Sequence, residues 1–215
     1  MRLAFMTTLI TVCFPAIVAA QDLTVSAGTQ LQFAIAPDGK GSANKNDLNA
    51  YIEIEKSGLY GGIWAEISNQ SAADEVDLYF GYRGEAASGL SYDINYYRFM
   101  YPNDGGDCCG ELALSLGMPL SDALSGSLDL AYDPEPGVGS AYLGLSYAVN
   151  EKLIVSGSYG TYQVEGGGAE QEWDLGISYA LGEETSAGMR YYNGTDYTDG
   201  YIGLSLNWDT TLLSR

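Results

Sequence analysis

The chain has 215 residues, of which 46% are hydrophobic, and it carries 28 Asp and Glu residues against 9 Lys and Arg residues. Its net charge of −19 argues against nucleic acid and anionic lipid as partners, because both would be repelled. The sequence contains no His, which excludes a His general base and imidazole-bound metal sites. Since it also has no phosphate-binding glycine loop or dinucleotide fingerprint, we expect a protein without enzymatic activity, cofactor or metal.

The N-terminal segment, residues 1–20, has the features of a secretory signal peptide. Arg2 precedes an apolar stretch, and a run of small residues ends at Ala20. The apolar stretch is about 12 residues long and is interrupted by Pro15, whereas a membrane-spanning helix needs about 20 residues. We therefore predict that residues 1–20 are cleaved on export. Residues 21–215 would form one domain, since no linker or shift in composition divides them.

Beyond this segment, apolar and polar residues alternate almost without interruption, and no stretch keeps a helical period. In the first strand-like segment Leu31, Phe33 and Ile35 are apolar, while Gln30 and Gln32 between them are polar. About 12 such segments follow one another, each close to the roughly 10 residues that a tilted membrane strand needs. The pattern predicts an all-β fold, a single antiparallel up-and-down transmembrane β-barrel of about 12 strands. In chain order the segments are centred on Leu31, Ile52, Ile63, Leu78, Ile94, Leu114, Leu128, Leu143, Val155, Leu175, Met189 and Leu204.

The segments are joined alternately by tight and by long connections. Asn150-Glu151-Lys152 is one of the tight turns, and PNDGGDCCG at residues 102–110 is one of the long loops rich in Gly and Asp. Bacterial outer-membrane barrels have short periplasmic turns and longer external loops. We predict the same orientation for this chain.

Aromatic residues are concentrated near both ends of the apolar faces, and aliphatic residues occupy the middle. Two belts of aromatic rings are typical of a protein that crosses two membrane–water interfaces. A soluble barrel or sandwich would bury its aromatic residues without sorting them by depth. The predicted aromatic girdle consists of Tyr82, Tyr96, Tyr132, Tyr147, Tyr159, Trp173, Tyr179, Tyr191 and Trp208.

Three stretches between Asn46 and Pro102 carry a resemblance to a known family: SGLYGGIWAEIS, EVDLYFGYRGE and LSYDINYYRFMYP, in that order. In these residues the chain resembles the TorF family of proteobacterial outer-membrane porins, and weaker similarity continues towards the end of the chain. The resemblance implies a porin-like barrel in the Gram-negative outer membrane. Two features depart from the usual pattern. Ala36-Pro37-Asp38-Gly39 stands where the family commonly has an Arg-Gly pair, and Trp208 is followed by DTTLLSR, whereas outer-membrane barrels usually end on an aromatic residue.

Charged residues fall mainly on the polar faces of the segments, which would line the lumen of the barrel. If an aqueous path crosses the barrel, this acidic lining favours cations over anions. Alternatively, the acids pair inside a closed lumen with two arginines and with Tyr51, Tyr79, Tyr97 and Tyr142. Both alternatives stay open, because 12 strands lie between small barrels filled by side chains and porins with wide channels. The predicted lumen-lining acids are Glu53, Glu55, Glu66, Asp77, Asp93, Asp129, Glu172 and Asp174, and the predicted lumen-lining bases are Arg83 and Arg190.

Cys108 and Cys109 are the cysteines that remain after export, and the pattern places them in a long external loop. In an oxidising compartment two thiols favour a disulfide, but a bond between neighbouring residues closes a strained ring. A vicinal disulfide and two free thiols are therefore both compatible with the sequence. Loop carboxylates such as Asp104 and Asp107 match no defined calcium loop and indicate solvated loop residues.

The leading functional hypothesis is a porin, surrounded by outer-membrane lipid, that lets small polar solutes or cations diffuse passively through it. The alternative is a closed barrel that acts as a non-catalytic surface or structural protein. A third hypothesis is a soluble periplasmic binding protein, in which the apolar faces would pack against one another. Aliphatic faces look the same whether they meet lipid or a neighbouring barrel, so they specify no oligomeric state.

Overall fold

The computed structural model describes residues 23–35, 45–70, 73–195 and 200–215. The predicted signal peptide at residues 1–20 lies outside these ranges. Twelve β-strands make up most of the described chain, and within it no helix is long and apolar enough to cross a bilayer. The strands are β1 (Thr24–Ile35), β2 (Asn46–Lys56), β3 (Leu59–Ser68), β4 (Glu75–Glu85), β5 (Ser91–Tyr101), β6 (Gly106–Pro119), β7 (Leu124–Asp133), β8 (Val138–Ala148), β9 (Leu153–Gln163), β10 (Ala169–Ala180), β11 (Thr185–Gly194) and β12 (Tyr201–Ser214).

The strands form a closed barrel in which each strand pairs antiparallel with its neighbours in the sequence. β1 completes the circle by pairing with β12 over the whole of β1, from the pair Thr24 and Ser214 to the pair Ile35 and Ile202. Closure leaves no free strand edge, so the backbone hydrogen bonds are satisfied without water. The prediction of an all-β, antiparallel, up-and-down barrel of 12 strands is confirmed.

The connections at the two ends of the barrel differ in length. At one end, here called the short-turn end, the strands are joined by two to five residues; at the other, the long-loop end, they are joined by four to ten. The tightest turn joins β2 to β3, where Ser57 and Gly58 have φ angles of 54° and 85°. Two successive positive φ angles are what a two-residue type I′ hairpin requires. In the predicted orientation, the short-turn end faces the periplasm.

The outer surface of the barrel is apolar around its whole circumference. Leu143 is 64% exposed, and large aliphatic or aromatic side chains are exposed on every strand. In the described part of the chain, buried polar and charged side chains outnumber buried hydrophobic ones, which are Ala34, Tyr60, Tyr79 and Tyr162. Each large apolar side chain left in water would forgo about 1.5–3 kcal/mol of burial free energy. A soluble protein buries such residues, so this surface excludes the soluble periplasmic hypothesis and identifies a membrane barrel of the outer-membrane type.

One prediction about local structure is wrong: Cys108 and Cys109 lie in β6 and not in the preceding loop. β6 begins at Gly106, and the register between β5 and β6 shifts between Phe99, which is opposite Cys109, and Met100, which is opposite Asp107. Cys108 is thus the extra residue of a β-bulge. The Gly- and Asp-rich composition of residues 102–110 indicated a longer loop. The bulge interrupts the alternation of side chains at the start of β6, so the sequence pattern did not show that the strand begins there.

Candidate functional site: the barrel lumen

The lumen is lined by the residues that alternate with the exposed apolar ones. In β2, for example, Ile52 and Ile54 are exposed on the outer face, while Glu53 and Glu55 between them face the lumen. The same alternation places all eight predicted acids and both predicted arginines on the inward faces of their strands. The partners of these side chains decide how much charge a solute in the lumen would meet.

Arg83 of β4 links three strands near the short-turn end. Its guanidinium donates to the carboxylates of Glu53 and Glu55 on β2, and its Nε lies 2.9 Å from Oε2 of Glu55. Because β3 lies between β2 and β4, the side chain crosses β3, and its Cζ lies 4.0 Å from the ring centroid of Tyr60. The ring quadrupole of Tyr60 stabilises a cation in this position. One arginine therefore pairs with two of the predicted lumen acids, and it can offset the charge of one of them.

Arg190 of β11 forms a second inward ion pair. It donates to the carboxylate of Asp174 on β10 and to the hydroxyl of Ser156 on β9, the latter at 2.5 Å. The hydroxyl of Ser158 donates to the same Asp174 carboxylate. Gly176 lies between Arg190 and Ser156 in one row across the three strands. Since Gly176 has no side chain, the arginine can reach over it to β9.

Inward tyrosines hold several of the other acids. In each case a phenol hydroxyl donates to a carboxylate on another strand. Hydrogen bonds to an ionised acceptor are about twice as strong as those between neutral groups. Asp129, in contrast, accepts a long bond of 3.4 Å from the hydroxyl of Ser127 on its own strand. The pairs are Tyr60–Asp93 (2.5 Å), Tyr142–Glu172 (2.6 Å), Tyr51–Asp209 (3.0 Å) and Tyr162–Glu170 (3.0 Å).

Aromatic rings form a row across the inward faces of β3, β4 and β5. The ring centroids of Tyr60 and Tyr79 are 6.1 Å apart, and those of Tyr79 and Tyr97 are 5.4 Å apart. Phe99 continues the row, stacked on Tyr97 at 6.1 Å with an angle of 6° between the rings. Tyr60 and Tyr79 are both buried. The rings thus fill this side of the lumen and give it a fixed wall.

Near the long-loop end, two of the predicted acids lie in a cluster of buried carboxylates. Glu66 and Asp77 are joined there by Asp47 and Glu75, and all four are less than 10% exposed. The ammonium of Lys45 donates to Glu66 and lies 3.4 Å from an oxygen of Asp47. Among the described residues, it is the cation that contacts this cluster.

Sequence analysis missed several inward carboxylates. They lie near the ends of the strands, where the alternating pattern merges with the residues of turns and loops. Extending the alternation of each strand by one or two residues would have found most of them, since Glu75, for example, has the same parity as Asp77. The missed inward acids are Asp47, Glu75, Glu85, Glu111, Asp133, Glu170 and Asp209.

The nine residues of the predicted girdle all lie on outward faces. Seven of them are among the exposed large side chains, while Tyr96 and Tyr191 are partly covered by neighbours. The ring of Tyr191 lies 5.6 Å from that of Trp173, and the ring of Tyr96 lies 5.8 Å from that of Phe80. These rings would meet the interfaces of the membrane.

Cys108 and Cys109 are joined by a disulfide bond, with their Cα atoms 3.7 Å apart. The bond lies at the β-bulge at the long-loop end of β6. Of the two states that the sequence left open, the structure contains the vicinal disulfide.

The inward faces form two contrasting walls. The acidic wall, here the inward face of β2–β5, carries most of the charged and aromatic side chains. The serine wall, the inward face of β6–β9, carries mainly Ser, Gly and Ala, with Glu111, Asp129 and Asp133 as its acids. Around the described lumen, carboxylates far outnumber the cations Lys45, Arg83 and Arg190. The electrostatic potential inside the described lumen is therefore strongly negative.

No protein-family model and no curated protein matches the amino-acid sequence. Solved structures do match the barrel. The KdgM porin superposes with a TM-score of 0.64 at 9% identity, over 85% of this chain and 98% of that chain. The NanC porin superposes with a TM-score of 0.61 at 9% identity, over 87% of this chain and all of that chain. An outer-membrane channel from Pseudomonas putida F1 superposes with a TM-score of 0.54 at 10% identity, over 91% of this chain and 97% of that chain.

The chain has the fold of 12-stranded outer-membrane porins. The matches extend over nearly the whole length of the similar proteins. All three similar proteins are porins or channels rather than enzymes. At identities near 10% the likeness concerns the fold, and what passes through this lumen depends on its own side chains.

Proposed function

We propose that this barrel is an outer-membrane channel through which small polar solutes diffuse passively, with a preference for cations over anions. The observation that carries the proposal is the excess of inward carboxylates over inward cations. Arg83, Arg190 and Lys45 neutralise only some of the acids, so a net negative field remains in the lumen. Acidic linings raise the local concentration of cations and lower that of anions.

The negative charge of the lumen distinguishes this chain from one of the proteins with a similar fold. A structure of the KdgM porin is described as a complex with oligogalacturonate, a polymer that carries a carboxylate on each sugar. The acidic lumen of this chain would repel such a polyanion. We therefore propose neutral or cationic solutes for this barrel, although its fold resembles that of KdgM.

The resemblance to the TorF family supports a channel from an independent direction. The segment from Asn46 to Pro102 that carries it corresponds to β2–β5, which is the acidic wall. We propose that the chain is a TorF-type porin and that this wall is the functional part of the resemblance.

Single-channel recording in planar bilayers tests the proposal. Under a KCl gradient, the reversal potential of the folded barrel should show that K⁺ passes more readily than Cl⁻. The double variant Asp129→Asn with Glu172→Gln removes two carboxylates of the lumen wall, and should lower the K⁺/Cl⁻ permeability ratio by about half. Glu183→Gln, in the turn between β10 and β11, is the matched control and should leave the ratio unchanged. A preference for Cl⁻ would overturn the proposal.

A closed barrel with a structural role is the second candidate. The observation that favours it is the filling of one side of the lumen by the Arg83 ion pairs and by the buried rings of Tyr60 and Tyr79. The same recordings separate the two candidates. Correctly folded protein without any conductance would favour the closed barrel.

A further inference from the structure

The start of β6, residues 106–111, is held to the barrel by a neighbouring strand on one side. Within the described residues, the pairing of β6 with β7 begins at Leu112, so β5 is the strand that pairs with this segment. The register with β5 shifts at Cys108, the extra residue of the bulge, and two residue pairs follow the shift before the strand ends at Gly106. A strand end with few paired neighbours opens locally at a low cost in free energy.

Two further links hold this segment. On the outer surface, the guanidinium of Arg98 donates to both carboxylate oxygens of Asp107, at 2.6 Å and 2.8 Å, and also to Glu135 in the loop between β7 and β8. Both carboxylates are exposed, and exposed ion pairs stabilise weakly because water screens the charges. The other link is the covalent bond between Cys108 and Cys109, which lies within the bulge itself. The disulfide is therefore the stronger of the two links.

The position and the spacing of the two cysteines favour reduction of the bond. Cys108 and Cys109 are both partly exposed at the long-loop end, so a small molecule can reach them. As consecutive residues they have Cα atoms 3.7 Å apart, whereas disulfides usually join Cα atoms about 4.4–6.8 Å apart. A disulfide outside this range is strained, and strained or exposed disulfides are reduced more readily than relaxed, buried ones.

We propose that the disulfide of Cys108 and Cys109 is a thiol-exchange site: a low-molecular-weight thiol at the long-loop end reduces it, and reduction loosens the start of β6. The thiolate of the small molecule attacks one sulfur, the S–S bond breaks, and its electron pair stays on the other sulfur. A second thiolate then attacks the sulfur of the small molecule in the mixed disulfide and releases the remaining cysteine. Two small thiols are thereby oxidised to one disulfide, and their protons pass to the two cysteine sulfurs.

The change would reach the lumen through Phe99 and Glu111. Phe99 lies opposite Cys109 and ends the inward row of rings, stacked on Tyr97. Glu111 is the next inward residue of β6 after Cys109 and lies opposite Tyr97. Loosening the start of β6 therefore releases one ring and one carboxylate at the long-loop end of the lumen. The site does not depend on whether the barrel conducts.

Alkylation followed by mass spectrometry tests the exchange on the full mature barrel, folded in detergent. After incubation with millimolar reduced glutathione at neutral pH, iodoacetamide should alkylate both Cys108 and Cys109. Without glutathione it should alkylate neither. A barrel in which these residues are alkylated only after unfolding in urea would overturn the proposal, and so would alkylation of the folded barrel without glutathione, which would show that the thiols are free.

Amide hydrogen exchange measures the loosening of the start of β6. Reduction should speed exchange in residues 106–111 about tenfold and leave the peptides of β8 and β9 unchanged. The double variant Cys108→Ser with Cys109→Ser should exchange at the rate of the reduced parent, with or without glutathione. Equal rates in the oxidised parent and in this double variant would overturn the proposal, because the bond would then not hold the start of β6.

Arg98→Met is the matched variant for the weaker link on the outer surface. Since it removes an exposed ion pair and keeps the disulfide, it should speed exchange in residues 106–111 by less than about threefold. Glutathione should still reduce the disulfide in this variant and speed exchange further. An effect of Arg98→Met as large as that of reduction would show that the ion pair, and not the disulfide, holds the start of β6, and would overturn the proposal.

Discussion

The acidic wall and the serine wall are built by the same alternation of residues, yet they differ in what they place inside the barrel. In the acidic wall, long side chains such as Arg83 reach across a neighbouring strand, and rings such as Tyr79 pack against one another. In the serine wall most inward side chains are short, such as Ser127. The rings of Tyr142 and Tyr162 are its aromatic exceptions. Alternation therefore specifies which residues face the lumen, while the size and charge of the side chains decide how much of the lumen's cross-section they fill. We therefore expect any aqueous path to lie closer to the serine wall.

The largest expected difference between the walls concerns stability. Arg83→Met removes the cation that Glu53 and Glu55 share, and leaves two partly buried carboxylates unpaired. Breaking a buried ion pair costs about 3–5 kcal/mol, and we expect about 3 kcal/mol here because Arg83 is partly exposed. Ser127→Ala on the serine wall should cost less than about 0.5 kcal/mol. Urea unfolding of the barrel in lipid vesicles, followed by tryptophan fluorescence, measures both; equal losses would contradict the contrast between the walls.

A smaller difference is expected from glycines that lie beneath side chains. In the acidic wall, a Cβ atom at Gly62 would lie 2.4 Å from the hydroxyl oxygen of Tyr79 and 2.6 Å from the backbone oxygen of Ile52. Because the backbone cannot move away, we expect Gly62→Ala to lower the free energy of unfolding by about 2 kcal/mol. In the serine wall, a Cβ atom at Gly117 would meet only the hydroxyl of Ser91, at 2.6 Å.

That hydroxyl can rotate, so Gly117→Ala is the matched control and should change the free energy of unfolding by less than about 0.5 kcal/mol. The same unfolding measurement compares the two variants. If Gly117→Ala were as destabilising as Gly62→Ala, the greater packing of the acidic wall would not be the cause of the effect.

The smallest expected difference concerns access of water. A thiol introduced by Ser127→Cys lies on the serine wall at a partly exposed position, whereas one introduced by Asn95→Cys replaces a buried residue of the acidic wall. We expect a charged, membrane-impermeant thiol reagent to label the first about tenfold faster, which corresponds to about 1.4 kcal/mol. Mass spectrometry of timed samples gives both rates, and the native disulfide of Cys108 and Cys109 does not react with such a reagent. Faster labelling at Asn95→Cys would place the aqueous path beside the acidic wall.

Much of the fold was predictable because successive side chains of a β-strand point to opposite faces, with a period of two residues. A residue such as Ile52 must face hydrocarbon if Glu53 faces the lumen, and the same reasoning extends to all 12 strands. The exception is the start of β6, where the bulge at Cys108 interrupts the repeat and sequence analysis predicted a loop. A bulge depends on the pairing with β5, which local composition does not contain.

The candidate site was predictable only in part, for a related reason. Parity identified Asp77 as a lumen residue, but nothing in its neighbours along the chain indicates that it is fully buried. Likewise, Glu53 and Arg83 are 30 residues apart, and their contact exists because β2 and β4 flank β3. The alternation within a strand shows only which of its residues face inward. Which side chain an inward residue contacts depends on the register between strands.

The amino-acid sequence by itself determined the strand count, the apolar outer surface and the acidic character of the lumen, because each follows from alternation and composition. Only the tertiary structure decided which acids are neutralised, where the lumen is filled, and where buried oxygens of Asp47, Asn49, Glu75 and Asp77 gather near the long-loop end. The physical reason is that charge and packing energies depend on distances across strands. Those distances are set when the barrel closes between β1 and β12.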